Sequence, residues 1–99
     1  MTTYLAFLRH HEDGTYTVEF PDLPGCGCTG DNAGIVSALA GDDLARHLTN
    51  LMNFGYPPPN PSTEAQLADD SQRGTAELIA FEIDLDLLRI PNPLTYHTL

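Results

Sequence analysis

The segment EFPDLPGCGCTGD, residues 19–31, decides how this 99-residue chain turns, because it holds two prolines, three glycines and both cysteines. Pro21 has no backbone N–H, so a regular strand ends there. The dipeptide Pro24-Gly25 is a strong turn signal, since proline fixes φ and glycine accepts a positive φ. Such a segment can be a metal or redox site, a ligand-binding loop, or a structural corner between a hairpin and a helix.

The residues before this segment predict an antiparallel β-hairpin. Thr3 to His11 is rich in β-branched and aromatic residues, and Glu12 to Gly14 is a turn signal. The run from Thr15 to Phe20 alternates, so that one face is buried and the other faces water. The expected buried side chains are Tyr16, Val18 and Phe20.

The residues after the turn predict a short third strand, Cys26 to Thr29, and a long helix, Ala33 to Gly55, with Asp31 or Asn32 as its cap. Apolar residues recur there at three- and four-residue steps, which predicts one buried stripe. On the other side, Asp42 and Asp43 stand at helix-neighbour spacing to Arg46. The predicted stripe consists of Ile35, Leu39, Leu44, Leu48, Leu51 and Met52.

The last third of the chain contains a proline-rich connector, Tyr56 to Thr63, a polar stretch, Glu64 to Gly74, and an alternating run within residues 76–88. The alternation predicts a long final strand with one apolar face (Ile79, Phe81, Ile83, Leu85, Leu87) and one acidic face (Glu82, Asp84, Asp86). The order β-β-β-α-β predicts a two-layer α+β domain with a mostly antiparallel sheet and one long helix on one face. Polar residues or a second copy of the chain would line the other face.

The charge is strongly acidic, with 14 Asp and Glu against four arginines and a formal net charge of -10. Nucleic-acid binding draws affinity from cations that contact phosphate, so direct binding of nucleic acid is not expected. The acidity either keeps the protein soluble or complements a basic partner, and composition alone leaves both open. No apolar run approaches the roughly 20 residues that span a bilayer. The amino terminus lacks the basic region of a secretory signal, so we expect a cytoplasmic protein without a membrane partner.

The cysteines at positions 26 and 28 are too few for a disulfide framework, and a zinc site would need two further ligands. The four histidines, His10, His11, His47 and His97, stand in no recognised ligand spacing. We therefore expect buried or inert thiols and neither a metal nor a cofactor.

The same segment resembles the signature of the HicB-like antitoxins, in which an aromatic-x-Val-x-Phe strand runs into Pro-Asp-Leu-Pro-Gly-Cys and then a Gly-Asp pair. GYPPPNPS, residues 55–62, is similar to the connector of that family. The resemblance covers nearly the whole chain and implies that the segment is a structural corner. The matching residues are Tyr16, Val18, Phe20, Pro21, Asp22, Leu23, Pro24, Gly25, Cys26, Gly30 and Asp31.

The resemblance also implies a function. HicB-like antitoxins bind and block a small basic toxin of the HicA type, an RNA-cleaving protein with a catalytic histidine. Many members carry a DNA-binding domain at the carboxyl end, whereas this sequence stops after the last predicted strand. It is therefore expected to form a single domain over residues 1–99, without a separate DNA-binding domain. The expected partner-binding residues are Glu82, Asp84 and Asp86 first, and Asp42 and Asp43 second.

Two alternatives remain at this point. The chain could be an orphan domain without a toxin that only self-associates, as a homodimer or tetramer, through exposed strand edges. It could also be a metal-dependent nuclease that uses Asp22, Asp31, Asp42 and Asp43, with His10 and His11 as an acid/base pair. The sequence contains no metal-ligand spacing, so a binding protein rather than an enzyme is predicted.

Overall fold

The computed structural model of the chain describes residues 1–70 and 73–88. Its four strands form one antiparallel sheet in the order β3-β2-β1-β4, and the predicted α+β architecture is confirmed. The predicted residues beyond Leu88, among them His97, lie outside the described part. The elements are β1 (Thr2–His10), β2 (Tyr16–Glu19), β3 (Gly27–Gly30), α1 (Ala33–Asn53), α2 (Glu64–Ala68), β4 (Glu77–Ile83) and α3 (Leu85–Leu88).

The first two strands form the predicted hairpin, with His10 opposite Tyr16 and Phe7 opposite Glu19. The turn is closed by Asp13, whose carboxylate accepts hydrogen bonds from the Thr15 N–H at 3.0 Å and the Thr15 hydroxyl at 2.7 Å. Short polar side chains stabilise turns in this way because they satisfy backbone donors locally. The hairpin therefore rests on contacts that are close in sequence.

Helix α1 packs on the inner face of the sheet, and the main core lies between them. Asn32 caps the helix, since its side-chain oxygen accepts a hydrogen bond from the Ile35 N–H at 3.0 Å. Gly55, with φ of +85°, follows the helix and allows the chain to reverse. The buried residues of this core are Tyr4, Ala6, Val18, Phe20, Leu23, Cys26, Val36, Ala40, Leu44 and Leu48.

The predicted helical stripe is wrong in its first half. Ile35 and Leu39 are 60% and 49% exposed, whereas Val36 and Ala40 are buried. The cause is the close approach of helix and sheet, because a Cβ added at Gly30 of β3 would lie only 2.9 Å from Val36 Cγ2, and Gly41 faces the Phe81 ring of β4. Small residues face the sheet in this part of the helix, and the larger apolar residues point into solvent.

The outer face of the sheet is partly covered by the segment after the connector, which the sequence did not predict. Phe7 of β1 packs there with Leu67 of α2 and with Ala76 in a second, small buried cluster. Helix α2 begins with a capping box, in which Thr63 and Gln66 each accept a hydrogen bond from the other's backbone N–H. The expected polar lining is found beside this cluster, on β2 and β3.

The last strand is shorter than predicted, because β4 ends at Ile83. The Asp84 carboxylate accepts a hydrogen bond from the Asp86 N–H at 3.0 Å, and the Leu87 N–H donates to the Asp84 carbonyl at 3.2 Å. Asp84 thus turns the chain into the single turn of α3, where Leu87 is 64% exposed. The prediction that Asp84 and Asp86 share a strand face with Glu82 is therefore wrong.

Candidate partner-binding surface

The corner, residues 20–31, is held by its own backbone. The Leu23 N–H donates to the Phe20 carbonyl, the Cys26 N–H to the Leu23 carbonyl, and the Phe20 N–H to the Cys26 carbonyl, over 3.0 to 3.3 Å. Phe20, Leu23 and Cys26 are all buried. Gly25 takes a φ of +86°, the left-handed conformation that its turn requires. These contacts hold the backbone of the corner in place.

Gly27 permits the closest approach in the corner. A Cβ at this position would lie 2.3 Å from the Val18 carbonyl oxygen, and the backbone φ is +156°. No ordinary side chain fits at that separation. The glycine of the Cys-Gly-Cys stretch is therefore required by the pairing of β3 with β2.

Asp43 of α1 belongs to the corner rather than to a free acidic surface. Its Oδ2 accepts a hydrogen bond from the Gly27 N–H at 2.9 Å, and its Oδ1 forms an ion pair with Arg46. The Gly27 hydrogen bond, aided by Arg46, lowers the pKa of the carboxyl group below its usual value. Burial, together with the neighbouring Asp43 charge, raises the pKa of the Cys26 thiol to about 12. Cys26 is thus protonated and unreactive at neutral pH.

Asp22 ties the corner to the proline-rich connector. Its two carboxylate oxygens accept hydrogen bonds from the Ser62 N–H at 2.7 Å and the Ser62 hydroxyl at 2.5 Å. Nearby, the Tyr4 hydroxyl donates to the Pro59 carbonyl at 2.6 Å, and burial with the charge of Asp22 raises the Tyr4 pKa. These contacts join residues 40 and 55 positions apart, so no local sequence signal could have revealed them.

The outward side of α1 combines apolar and acidic side chains. Ile35 and Leu39, the exposed pair described above, stand four residues apart and share one helix face. Asp42 follows on the next turn and is exposed, as is Asp31 just before the helix. We call Ile35, Leu39 and Asp42 the α1 outer patch.

The three acidic residues ranked first from the sequence do not form one surface. Glu82 is exposed on the outer face of the sheet, where its backbone lies opposite Thr3. Asp84 is half-buried and bonded to the Asp86 backbone, and Asp86 is exposed on α3.

An open groove of about 460 Å³ lies beside the corner. It is lined by residues 17–21 and 24–29 together with Phe7 of β1. Its charged side chain, Glu19, is already paired with Arg9 at 2.8 Å. Glu19 is the one charged residue among the described residues of the lining, so the groove they form offers no unpaired charge to a ligand.

The candidate metal-ligating residues are dispersed. The His10 ring stacks on Tyr16 with centroids 4.3 Å apart, and His11 Nε2 lies 2.8 Å from the Thr17 hydroxyl. Both cysteines are free thiols. Within residues 1–70 and 73–88, no three His, Cys, Asp or Glu side chains are placed to hold a metal ion. Over the same residues, no helix has the length and apolar character to cross a membrane.

Comparisons with solved structures find the same fold. The N-terminal domain of the Burkholderia pseudomallei antitoxin HicB superposes with a TM-score of 0.75 at 18% identity, over 84% of this chain and 99% of that one. A chain of a toxin-antitoxin complex from Streptococcus pneumoniae gives 0.69 at 20% identity, over 94% and 76%. A comparison with curated proteins finds no similar sequence.

Two comparisons go beyond the fold. A chain of the HicA3 and HicB3 toxin-antitoxin complex is 31% identical, with a TM-score of 0.65 over 84% of this chain and 99% of that one. Residues 4–93 match the family model described as the HicB_like antitoxin of bacterial toxin-antitoxin system. The chain therefore belongs to the HicB-like antitoxin family.

Proposed function

We propose that this chain is an antitoxin that binds a small basic toxin of the HicA type and neutralises it by covering the surface with which the toxin cleaves RNA. The observation that carries the proposal is the 31% identity to a chain of the HicA3 and HicB3 complex, over 99% of that chain. The net charge of -10 supports it, because opposite charges speed association with a basic protein. The role is binding and not catalysis, and it belongs in the cytoplasm, where RNA is cleaved.

The α1 outer patch is the surface that we assign to the toxin. Protein interfaces usually combine an apolar centre with a polar rim, and Ile35 and Leu39 supply such a centre next to Asp42. Large exposed apolar side chains on a helix face also mark sites where a partner binds. By contrast, Glu82 and Asp86 lie on separate elements, β4 and α3, and Asp84 lies between them, so we leave all three out of the proposed contact.

The corner carboxylates are excluded from the proposed contact. The Asp43 oxygens are bound by Gly27 and Arg46, and those of Asp22 by Ser62. A toxin that used these oxygens would have to break the contacts that hold the corner. Self-association, the other protein contact predicted from the sequence, belongs to the same proposal, and nucleic acid is no direct partner because the negative charge repels phosphate.

The test begins with the tagged chain purified gently from its own host and examined by native mass spectrometry. We expect a stoichiometric companion that is small, basic and toxic when it is expressed alone. A homo-oligomer without a companion, in cells that express the nearby small basic proteins, would overturn the toxin-binding proposal and leave the orphan domain.

The surface is tested with the purified companion. Leu39→Arg and Asp42→Lys should each weaken binding at least tenfold, which corresponds to about 1.4 kcal/mol. Asp86→Lys is the matched control, since it makes the same charge change at an exposed carboxylate on α3. Equal losses in Asp42→Lys and Asp86→Lys would show a general charge effect and contradict the assignment to α1.

A further inference from the structure

The two edges of the sheet differ in how they are protected. At one edge, β3 is only four residues long, and α1 satisfies the Gly27 N–H through Asp43. At the other edge, β4 pairs with β1 over seven residues, from Glu77 to Ile83. No further strand pairs with β4 among the residues that the structure describes. In an antiparallel strand, every second residue directs its N–H and C=O away from its neighbour, so β4 presents a row of backbone groups that no described strand pairs with.

The side chains of β4 leave this edge open to pairing. Natural edge strands are usually blocked by lysine, proline, a bulge or a charge that points inward. The sequence of β4, ELIAFEI, contains neither lysine nor proline, and its two glutamates stand near the ends. Its apolar residues Leu78, Ile79, Phe81 and Ile83 are only half-buried, so they retain apolar surface that a neighbouring strand would cover.

The pattern of β4 is self-complementary. An antiparallel pair related by a two-fold axis at Ala80 is the register that pairs all seven residues of both strands. Ile79 then lies opposite Phe81 of the second copy on the inner face, and Leu78 lies opposite its Glu82 on the outer face. Glu77 and Glu82 lie on opposite faces of the sheet, so no two carboxylates meet directly across the axis. The exposed Ala80 has a small side chain, which permits close approach at the axis.

We propose that β4 is the self-association surface of this protein, and that two copies join through antiparallel β4 strands around Ala80 into one eight-stranded sheet. This inference rests on the self-association proposed above and gives it a location. It also leaves the α1 outer patch free, because that patch lies on the helix and not at the sheet edge. The protein could thus pair with itself and hold a toxin at the same time.

Self-association through β4 and binding of a basic toxin should depend on salt in opposite ways. Each copy carries a net charge of -10, so two copies repel one another and added salt should strengthen the pairing of β4 strands. An acidic protein that binds a basic one shows the opposite dependence, since salt screens the attraction.

The experiment is sedimentation velocity of the full chain over a range of concentrations. We expect a dimer whose dissociation constant rises at least tenfold in Ala80→Glu, which places two carboxylates at the axis without altering a buried residue. Ala38→Glu is the matched control, because it makes the same substitution at an exposed position of α1. A dimer equally weakened in both variants, or unchanged in Ala80→Glu, would overturn the β4 assignment and leave self-association standing. A wild-type monomer at all concentrations would overturn both, and leave toxin binding untouched.

If Ala80→Glu does not fold, a cysteine variant tests whether the two copies meet at β4. In a Cys28→Ser background, Ala80→Cys should form a disulfide-linked dimer under mild oxidation, since cysteines at the axis face one another across the paired strands. Ala38→Cys in the same background should remain monomeric on a non-reducing gel. Failure of Ala80→Cys to cross-link in a preparation that sediments as a dimer would show that the copies meet elsewhere.

Discussion

The carboxylates of the corner and those of the outward surface have the same chemistry and different roles. In the corner, Asp22 and Asp43 accept hydrogen bonds from Ser62 and Gly27, and both are partly buried. On the outward surface, Asp42 and Glu82 are exposed. Fourteen acidic residues in 99 therefore do not form one uniform negative surface. The difference separates the acids that hold the fold together from those that a partner can reach.

The largest effect on the corner is expected from Gly27→Ala. The added Cβ would lie 2.3 Å from the Val18 carbonyl oxygen, so the β2–β3 pairing must shift, and we expect the free energy of unfolding to fall by about 3 kcal/mol or more. Gly25→Ala is the matched control. Gly25 also has a positive φ, but open space surrounds its Cβ position, so about 1 kcal/mol is expected. Urea unfolding measures both, and equal losses would show that close approach is not what selects Gly27.

The next largest effect is expected from Asp43→Ala, which should lower the free energy of unfolding by about 2 kcal/mol. The substitution removes the acceptor of the Gly27 N–H at the edge of the sheet, and a partly buried donor without an acceptor is destabilising. Asp43→Asn keeps a side-chain oxygen that can accept this bond, so its loss should be smaller. If the two variants unfold alike, the ion pair with Arg46 and not the Gly27 bond holds the carboxylate.

The acid dependence of stability provides a separate check on Asp43. The pKa of its carboxyl group is lowered in the folded protein by the Gly27 hydrogen bond, from an ordinary value of 3.8. The stabilisation is therefore complete above about pH 4 and is lost as the pH falls from there through the folded pKa. The stability gap between wild type and Asp43→Asn should close over that range. A gap that stays constant down to about pH 2.5 would contradict the assigned cause.

Asp22→Ala is expected to have a smaller effect and to lower the free energy of unfolding by about 1 to 2 kcal/mol. Two hydrogen bonds to Ser62 are lost, but the connector regains conformational freedom, which offsets part of the loss. A double-mutant cycle with Ser62→Ala isolates the bond between the side chains, and a coupling energy of about 1 kcal/mol is expected. A coupling near zero would show that the connector is held by other contacts, such as that of Tyr4 with Pro59.

The sequence predicted those parts of the molecule in which local chemistry and tertiary packing agree. The hairpin, the corner and the Asn32 cap depend on neighbours in sequence, so their turn and capping residues were informative. The stripe of α1 was misjudged because Ala40 and Gly41 face the sheet, and small residues carry little weight in a hydrophobic pattern. The bonds of Asp22 and Asp43 link residues at least 16 positions apart, which a single sequence cannot show.

The end of β4 shows a different kind of ambiguity. The residues DLDLL, 84–88, fit a two-residue period, which predicted a strand through Leu87. Leu85 and Leu88 also stand three residues apart, the spacing of one helical turn, and both pack against the main core. The Asp84 carboxylate decides between the two by capping the turn, as aspartate often does at a helix start.

The smallest effect on stability, and the sharpest contrast with the corner, is expected at the exposed carboxylates. Asp42→Asn and Glu82→Gln should each change the free energy of unfolding by less than about 0.5 kcal/mol, because solvent already satisfies these side chains. Asp42→Asn should nevertheless slow association with the basic companion, and the difference from wild type should shrink as salt is added. Stopped-flow association at two salt concentrations, together with urea unfolding, measures both properties. Asp42 and Asp43 are neighbours in sequence, so they provide the most direct test of this division. If Asp42→Asn destabilised the fold as much as Asp43→Asn, the distinction between carboxylates that hold the fold and carboxylates that face a partner would be wrong.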